Sequence, residues 1–153
     1  MPVDFLPRAE ECTCLSVRQA ARHITQFYDQ HLVRSGLRAT QFSILAKLAR
    51  LGPLAINALA EELVMDRTTL GRNILPLERE GLIRIEPGRN DRRSKELVLT
   101  EAGVERLRLA ADGWRKAQRE FASHFGSTRT QDLRAILNEV WATELPGGPT
   151  ASR

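Results

Sequence analysis

The 153-residue sequence has few cysteines, few aromatic residues and no long apolar run. Its two cysteines, Cys12 and Cys14, are too few and too close together to build a disulfide framework. The absence of a run of about 18 apolar residues excludes a hydrophobic transmembrane helix. The first residues also lack the basic start and apolar stretch of a secretory signal. The sequence therefore predicts a cytoplasmic protein that has no membrane partner.

The sequence also lacks the common catalytic motifs. It contains no phosphate-cradling glycine loop, no HExxH and no GxSxG nucleophile elbow, which argues against an enzyme. His23, His31 and His124 are scattered, and Cys12-x-Cys14 alone does not have the ligand spacing of a zinc site. We therefore expect no catalytic centre, no metal site and no cofactor.

The sequence does contain an excess of positive charge, and arginine carries almost all of it. Lysine and arginine number 23 against 19 acidic residues, for a net charge of +4, and the only lysines are Lys47, Lys95 and Lys116. The planar guanidinium group suits phosphates and guanine edges. This composition favours nucleic acid or an acidic surface as the partner.

Apolar periodicity predicts four helices in the first half of the chain. They cover residues 16–36, 40–52, 56–64 and 67–81. Thr40 is the expected N-cap of the second helix and Asp66 that of the fourth, because short polar side chains there satisfy free backbone donors. Pro76 lies inside the fourth helix, so we expect a bend, a weakened hydrogen-bond ladder or an early end.

A β-hairpin and two more helices follow. Residues 82–86 alternate between apolar and charged side chains, as in a half-exposed strand, and residues 95–100 form the returning strand. Thr100 then caps a long helix, which a break at residues 126–130 separates from a last helix over residues 133–141. The long helix carries a heptad-like apolar seam, which comprises Val104, Leu107, Ala111, Trp114, Gln118, Phe121 and Phe125.

The third and fourth helices are joined by a short turn, which is typical of a helix-turn-helix. In that motif the N-terminal end of the second helix enters the DNA major groove. If Leu70, Ile74 and Leu77 face inward, the polar side chains at the start of this helix face outward. The alternative is a solvated amphipathic helix. We predict DNA contacts from Thr40, Arg67, Thr68, Thr69, Arg72 and Asn73.

The hairpin carries three arginines and one aspartate at its tip, in the turn over residues 87–93. A hairpin beside a helix-turn-helix is a wing that can reach the adjacent minor groove, where negative potential attracts arginine. We therefore predict DNA contacts from Arg89, Arg92 and Arg93. Asp91 repels phosphate, so we expect an ion pair that aims Arg93. The alternative is an exposed turn with incidental charges, since surface ion pairs are usually weak.

Together these segments resemble the MarR family of bacterial winged-helix regulators over residues 16–141. The most specific motifs are the Asp-x-Arg of the tip and the LT-x-x-G after it, formed by Asp91, Arg93, Leu99, Thr100 and Gly103. The resemblance implies a mainly α fold with a small β-hairpin wing, which forms a homodimer through the first helix and the last two. It also implies a repressor that binds a pseudo-palindromic operator in double-stranded DNA, released by a small, often aromatic, ligand or by thiol oxidation.

This resemblance divides the chain into functional parts. The parts are an N-terminal arm over residues 1–15, a helical dimerisation region over residues 16–38 and 104–143, a winged helix-turn-helix domain over residues 39–103, and a flexible tail over residues 144–153. A rival interpretation is a helical protein–protein interaction module without DNA binding. It accounts for the seam but leaves the arginine-tipped hairpin without a role.

Two groups of residues are candidates for sensing an effector. Cys12 and Cys14 are candidate redox residues, although side chains two apart on a helix point to different sides, which is poor for an internal bridge and leaves a bridge to the partner subunit open. The alternative is a pair of packing thiols. A small-ligand site could be lined by the first helix, and the alternative is ordinary surface or interface side chains. Its candidate residues are Arg18, His23, Tyr28 and His31.

Overall fold

The computed structural model describes residues 8–147, so that residues 1–7 of the predicted arm and residues 148–153 of the predicted tail lie outside the described part. The described residues are mainly helical and contain six α-helices and three short strands. In chain order they are α1 (Thr13–Leu32), α2 (Ala39–Leu51), β1 (Leu54–Ala55), α3 (Ile56–Leu63), α4 (Arg67–Arg79), β2 (Ile83–Pro87), β3 (Lys95–Leu99), α5 (Glu101–Phe125) and α6 (Ser127–Ala142). Within the described residues, no helix has the length and apolarity of a membrane span.

Two of the three predicted helix caps are confirmed. The Asp66 carboxylate accepts the Thr69 N–H at 2.9 Å, and the Thr100 hydroxyl accepts the Gly103 N–H at 3.0 Å. The prediction for α2 is wrong, because the helix begins at Ala39 and Thr40 is already its second residue. The cap comes from α1 instead, where Asp29 accepts the Ala39 N–H at 2.7 Å.

Three other helix boundaries differ from the prediction. Helix α1 begins at Thr13, before the expected Ser16, and Cys12 occupies its N-cap. Helix α4 continues through Pro76 to Arg79, so the early end is wrong. The break between α5 and α6 is one residue long, because Gly126 adopts a φ of +103° and α6 resumes at once.

The three strands form one antiparallel sheet in the order β1-β3-β2. Strand β1 pairs Leu54 with Leu97 of β3, and β2 pairs with β3 from Ile83↔Leu99 to Pro87↔Lys95. The hairpin prediction is thus confirmed, and β1 is an addition to it. This third strand ties the start of α3 to the base of the hairpin.

The core lies between helices α2–α5, the end of α1 and the sheet. The predicted inward residues of α4, Leu70, Ile74 and Leu77, are all buried in it. On α5 the most buried positions are Gly103, Ala110 and Ala117, which lie beside the predicted seam and not on it. Gly113 on the same helix lets α1 approach closely, because a Cβ there would meet the His31 carbonyl oxygen.

The predicted seam of α5 is therefore used largely within the chain. The Trp114 ring stacks on Phe42 of α2, with 5.9 Å between centroids, and Phe121 lies 6.4 Å from Phe27 of α1. Leu107 packs against the core. A heptad-like spacing shows that one face is apolar, but it does not show whether that face meets the same chain or another.

Candidate nucleic-acid interface

The start of α4 combines a fixed backbone with free basic side chains. The Thr69 hydroxyl donates to the Asp66 carboxylate at 2.6 Å, and this hydrogen bond holds the pKa of Asp66 below its ordinary value. The carboxylate is therefore ionised at neutral pH, where its charge complements the positive end of the helix dipole. Arg67, Thr68 and Arg72 are exposed, and neither arginine forms an ion pair with any residue in 8–147.

Asn73 and Thr40, two of the predicted contact residues, are less accessible. Asn73 is partly buried, and its side-chain amide donates to the Thr69 carbonyl at 2.9 Å. Thr40 is also partly buried and lies in the first turn of α2, next to the Ala39–Asp29 bond that joins this turn to α1. Thr40 therefore lies at the start of α2, close to α1.

Asp91 organises the hairpin tip through backbone hydrogen bonds. Its carboxylate accepts the Arg93 N–H at 2.9 Å, and its carbonyl accepts the Ser94 N–H at 3.0 Å. The expected ion pair is wrong, because no arginine nitrogen among the described residues lies within ion-pair distance of Asp91. A short acidic side chain readily bonds the backbone two residues on. Asp91 therefore sets the backbone from which Arg93 projects, and the guanidinium remains free.

The tip requires a glycine for its close packing. The Gly88 N–H donates to the Ser94 carbonyl at 2.8 Å, and a Cβ at Gly88 would meet the Ser94 hydroxyl and, at 2.5 Å, the Asp91 carbonyl. The three arginine side chains of the tip are all exposed. None of them forms an ion pair within the described residues 8–147, so Arg89, Arg92 and Arg93 are available to an outside anion.

Arg67 and Arg93 line a single open cleft of about 430 Å³ between α3, α4 and the hairpin. We call it the basic cleft, and its lining residues are Ala55, Ile56, Asn57, Arg67, Arg93, Ser94 and Lys95. Asn57 and Lys95 were not among the predicted contacts. The one sequence signal for Lys95 is its position directly after a basic turn, and no pattern in the sequence indicates Asn57.

The four candidate ligand residues of α1 do not share one site. His23 lines a groove of about 480 Å³ between α1 and α5, which we call the α1–α5 groove. His31 bonds the Phe27 carbonyl at 2.9 Å and the Glu120 carboxylate, which lines the groove, at 2.8 Å. Arg18 and Tyr28 are not part of the lining. The groove residues are His23, Gln26, Phe27, Gln30, Glu120, Phe121, His124 and Phe125.

Two groups near this groove have shifted pKa values. The hydrogen bond with His31 lowers the pKa of Glu120, with a smaller contribution from Lys116. Burial raises the pKa of Tyr28, which Arg134 partly opposes. Glu120 is therefore ionised at neutral pH and Tyr28 is neutral.

The two cysteines are exposed and form no disulfide in the described chain. Cys12 has extended backbone at the N-cap of α1, where its sulfur accepts the Leu15 N–H at 3.4 Å. Only Cys14 lies within the helix, so helical spacing does not set the relative directions of the two side chains. The sulfur of Cys12 instead caps the helix.

Known proteins resemble the chain in both sequence and structure. The MarR family model matches residues 37–95. The HTH-type transcriptional regulator PecS of Dickeya dadantii is 31% identical over 120 residues, which are 76% of this chain and 72% of PecS. The M. tuberculosis transcriptional regulator MosR, solved in complex with DNA, is 36% identical with a TM-score of 0.74, and the match covers 88% of this chain and 100% of that chain.

A more distant structure shares the fold alone. A variant of E. coli MarR, solved with operator DNA, is 18% identical with a TM-score of 0.73, over 81% of this chain and 89% of that chain. The mainly α winged-helix architecture predicted from the sequence is thereby confirmed.

Proposed function

Because the chain belongs to the MarR family of transcriptional regulators, which are DNA-binding proteins and not enzymes, we propose that it is a homodimeric repressor of a pseudo-palindromic operator. The alternative, a helical protein–protein interaction module without DNA binding, would leave the basic cleft without a function. The winged helix-turn-helix over residues 39–103 reads the DNA, and α1, α5 and α6 hold the two subunits together. We extend the proposed dimerisation region to Thr13, the first residue of α1.

The basic cleft is the observation that carries this proposal. Arg67 begins α4 and Arg93 ends the Asp91 turn, and the sheet brings both side chains to one opening. A helix N-terminus inserted in the major groove places base-reading side chains against base edges. A wing arginine beside it can enter the narrow, negative minor groove. The two arginines thus suit two adjacent grooves of one duplex.

Exposed apolar side chains on the terminal helices support the dimer. On α6, Ile136 is 57% exposed, and Val140 and Trp141 are each 52% exposed, while Val17 on α1 is 43% exposed. Apolar surface that is left exposed on one chain is often the site of contact with another protein. Pairing two copies through these helices would bury it and place two α4 helices for the two halves of an operator.

The release signal is a small ligand or thiol oxidation. The α1–α5 groove offers aromatic walls formed by Phe27, Phe121 and Phe125, together with the polar His23, which suits a small aromatic ligand. Oxidation of Cys12 by a peroxide or a disulfide would modify the sulfur that now accepts the Leu15 N–H at the start of α1. Both routes act on α1, which belongs to the proposed dimer interface.

DNA binding is tested by titrating labelled mixed-sequence duplex with the protein at several salt concentrations. Neutralised phosphates release counterions, so we expect log affinity to fall linearly with log salt, with a slope of about −0.9 per phosphate contacted. Polyaspartate serves as the control for binding to any polyanion and should compete weakly. A flat salt response, or no binding at low salt, would refute the proposed function.

A further inference from the structure

The start of α4 contains a chain of three side-chain hydrogen bonds. Asp66 accepts both the N–H and the hydroxyl of Thr69, at 2.9 Å and 2.6 Å. Asn73, one turn later, donates its amide N–H to the Thr69 carbonyl at 2.9 Å. The three residues therefore bond to one another along one side of the helix.

These bonds engage one donor of each of the two side chains, Thr69 and Asn73, that were predicted to contact bases. The single hydroxyl proton of Thr69 is donated to Asp66, so Thr69 has none to give to a base. The Asn73 amide is turned back toward the preceding turn, and the residue is partly buried. Recognition of adenine by asparagine needs the amide presented edge-on to the base, with donor and acceptor both free.

The same bonds fix the part of the chain that carries free side chains. The two Asp66–Thr69 bonds span Arg67 and Thr68 and close the first turn of the helix over them. Arg72 precedes Asn73 and is exposed. The arrangement stiffens the backbone beneath three exposed side chains, and preorganised side chains bind with a smaller loss of conformational freedom.

We propose that Asp66, Thr69 and Asn73 are positioning residues, and that Arg67, Thr68 and Arg72 determine the sequence specificity. The proposal rests on the proposed DNA-binding function and narrows it, since all but Asp66 were predicted as direct contacts. A positioning residue affects binding to all sequences alike, whereas a reading residue affects individual base pairs.

The test uses a duplex that the wild-type protein selects from a random pool, together with its single-base-pair variants. Thr69→Val removes the hydroxyl but keeps the side-chain shape and the capping backbone N–H, so it should lower affinity for every duplex by about three- to tenfold, the scale of one lost side-chain hydrogen bond. Thr69→Ser retains the hydroxyl and should restore the affinity. Thr68→Val, the matched change one residue earlier, should alter the ranking of the duplexes at one or two positions.

The test distinguishes failure of the positioning roles from failure of the proposed DNA-binding function. A changed base preference in Thr69→Val or Asn73→Ala would overturn this inference alone, because a reading role would then be present. Failure of Thr69→Ser to restore affinity would also overturn it, since the hydroxyl would not be the positioning group. A wild-type protein that selects no duplex would overturn both the inference and the proposed function.

Discussion

Arg93→Ala should weaken binding of the selected duplex by about 1–3 kcal/mol, or roughly five- to more than a hundredfold in dissociation constant. The Arg93 guanidinium lines the basic cleft and is exposed, and the Asp91 carboxylate fixes the backbone beneath it through the 2.9 Å bond to the Arg93 N–H. The substitution removes a contact without burying an unpaired group, so the fold should not change. Fluorescence anisotropy at one fixed salt concentration measures the effect.

The matched control is Arg115→Ala, which removes the same charge from α5. Arg115 is exposed and pairs with Asp112 at 2.8 Å. Its loss should change affinity much less than the loss of Arg93. Equal losses in the two variants would show that only the net charge matters, and would contradict the proposed role of the hairpin tip.

Gly113→Ala should destabilise the protein by about 1–3 kcal/mol, the usual range for overpacking a tight contact. A Cβ there would meet the backbone carbonyl oxygen of His31, and a backbone atom cannot rotate away as a flexible side chain can. Helices α1 and α5 would have to separate at the point where His31 also bonds Glu120. Urea unfolding followed by circular dichroism measures the change, at one protein concentration because subunit association contributes to stability.

Gly71→Ala is the control for the intrinsic effect of replacing a helical glycine. A Cβ at Gly71 would have nothing within 4 Å, so the substitution should stabilise α4 by about 0.5–1 kcal/mol. The two variants differ only in what surrounds the new methyl group. If Gly113→Ala were as stable as Gly71→Ala, the close approach of α1 and α5 would be wrong.

Local patterns in the sequence were sufficient to predict most of the fold. Leu70, Ile74 and Leu77 recur at helical spacing, and Asp66 and Thr100 bond donors three residues away, so each signal lies within one turn. The cap of α2 was missed because it comes from Asp29 on another helix. Strand β1 was missed because two residues are too few to show alternation.

Single residues of the candidate interface were proposed from the sequence, but which of them share one cleft was not predicted. Arg67 and Arg93 were identified because one lies at the start of a predicted helix and the other at the tip of a predicted hairpin. They line one cleft because β1 pairs with β3, and the same pairing places Asn57 in its lining. Residue spacing in the sequence does not predict this strand pairing. Asp91 was singled out from the sequence, but the sequence does not distinguish a guanidinium from a backbone N–H as its partner.

Selection of duplex DNA from a random pool by the wild-type protein is the most direct test of the central claim. A dimer that presents two α4 helices should enrich an inverted repeat whose half-site centres lie about one helical turn, or 10–10.5 base pairs, apart or a multiple of that distance. Enrichment of a single unrepeated site would contradict the paired arrangement. A pool that remains random after repeated rounds would contradict sequence-specific DNA binding itself.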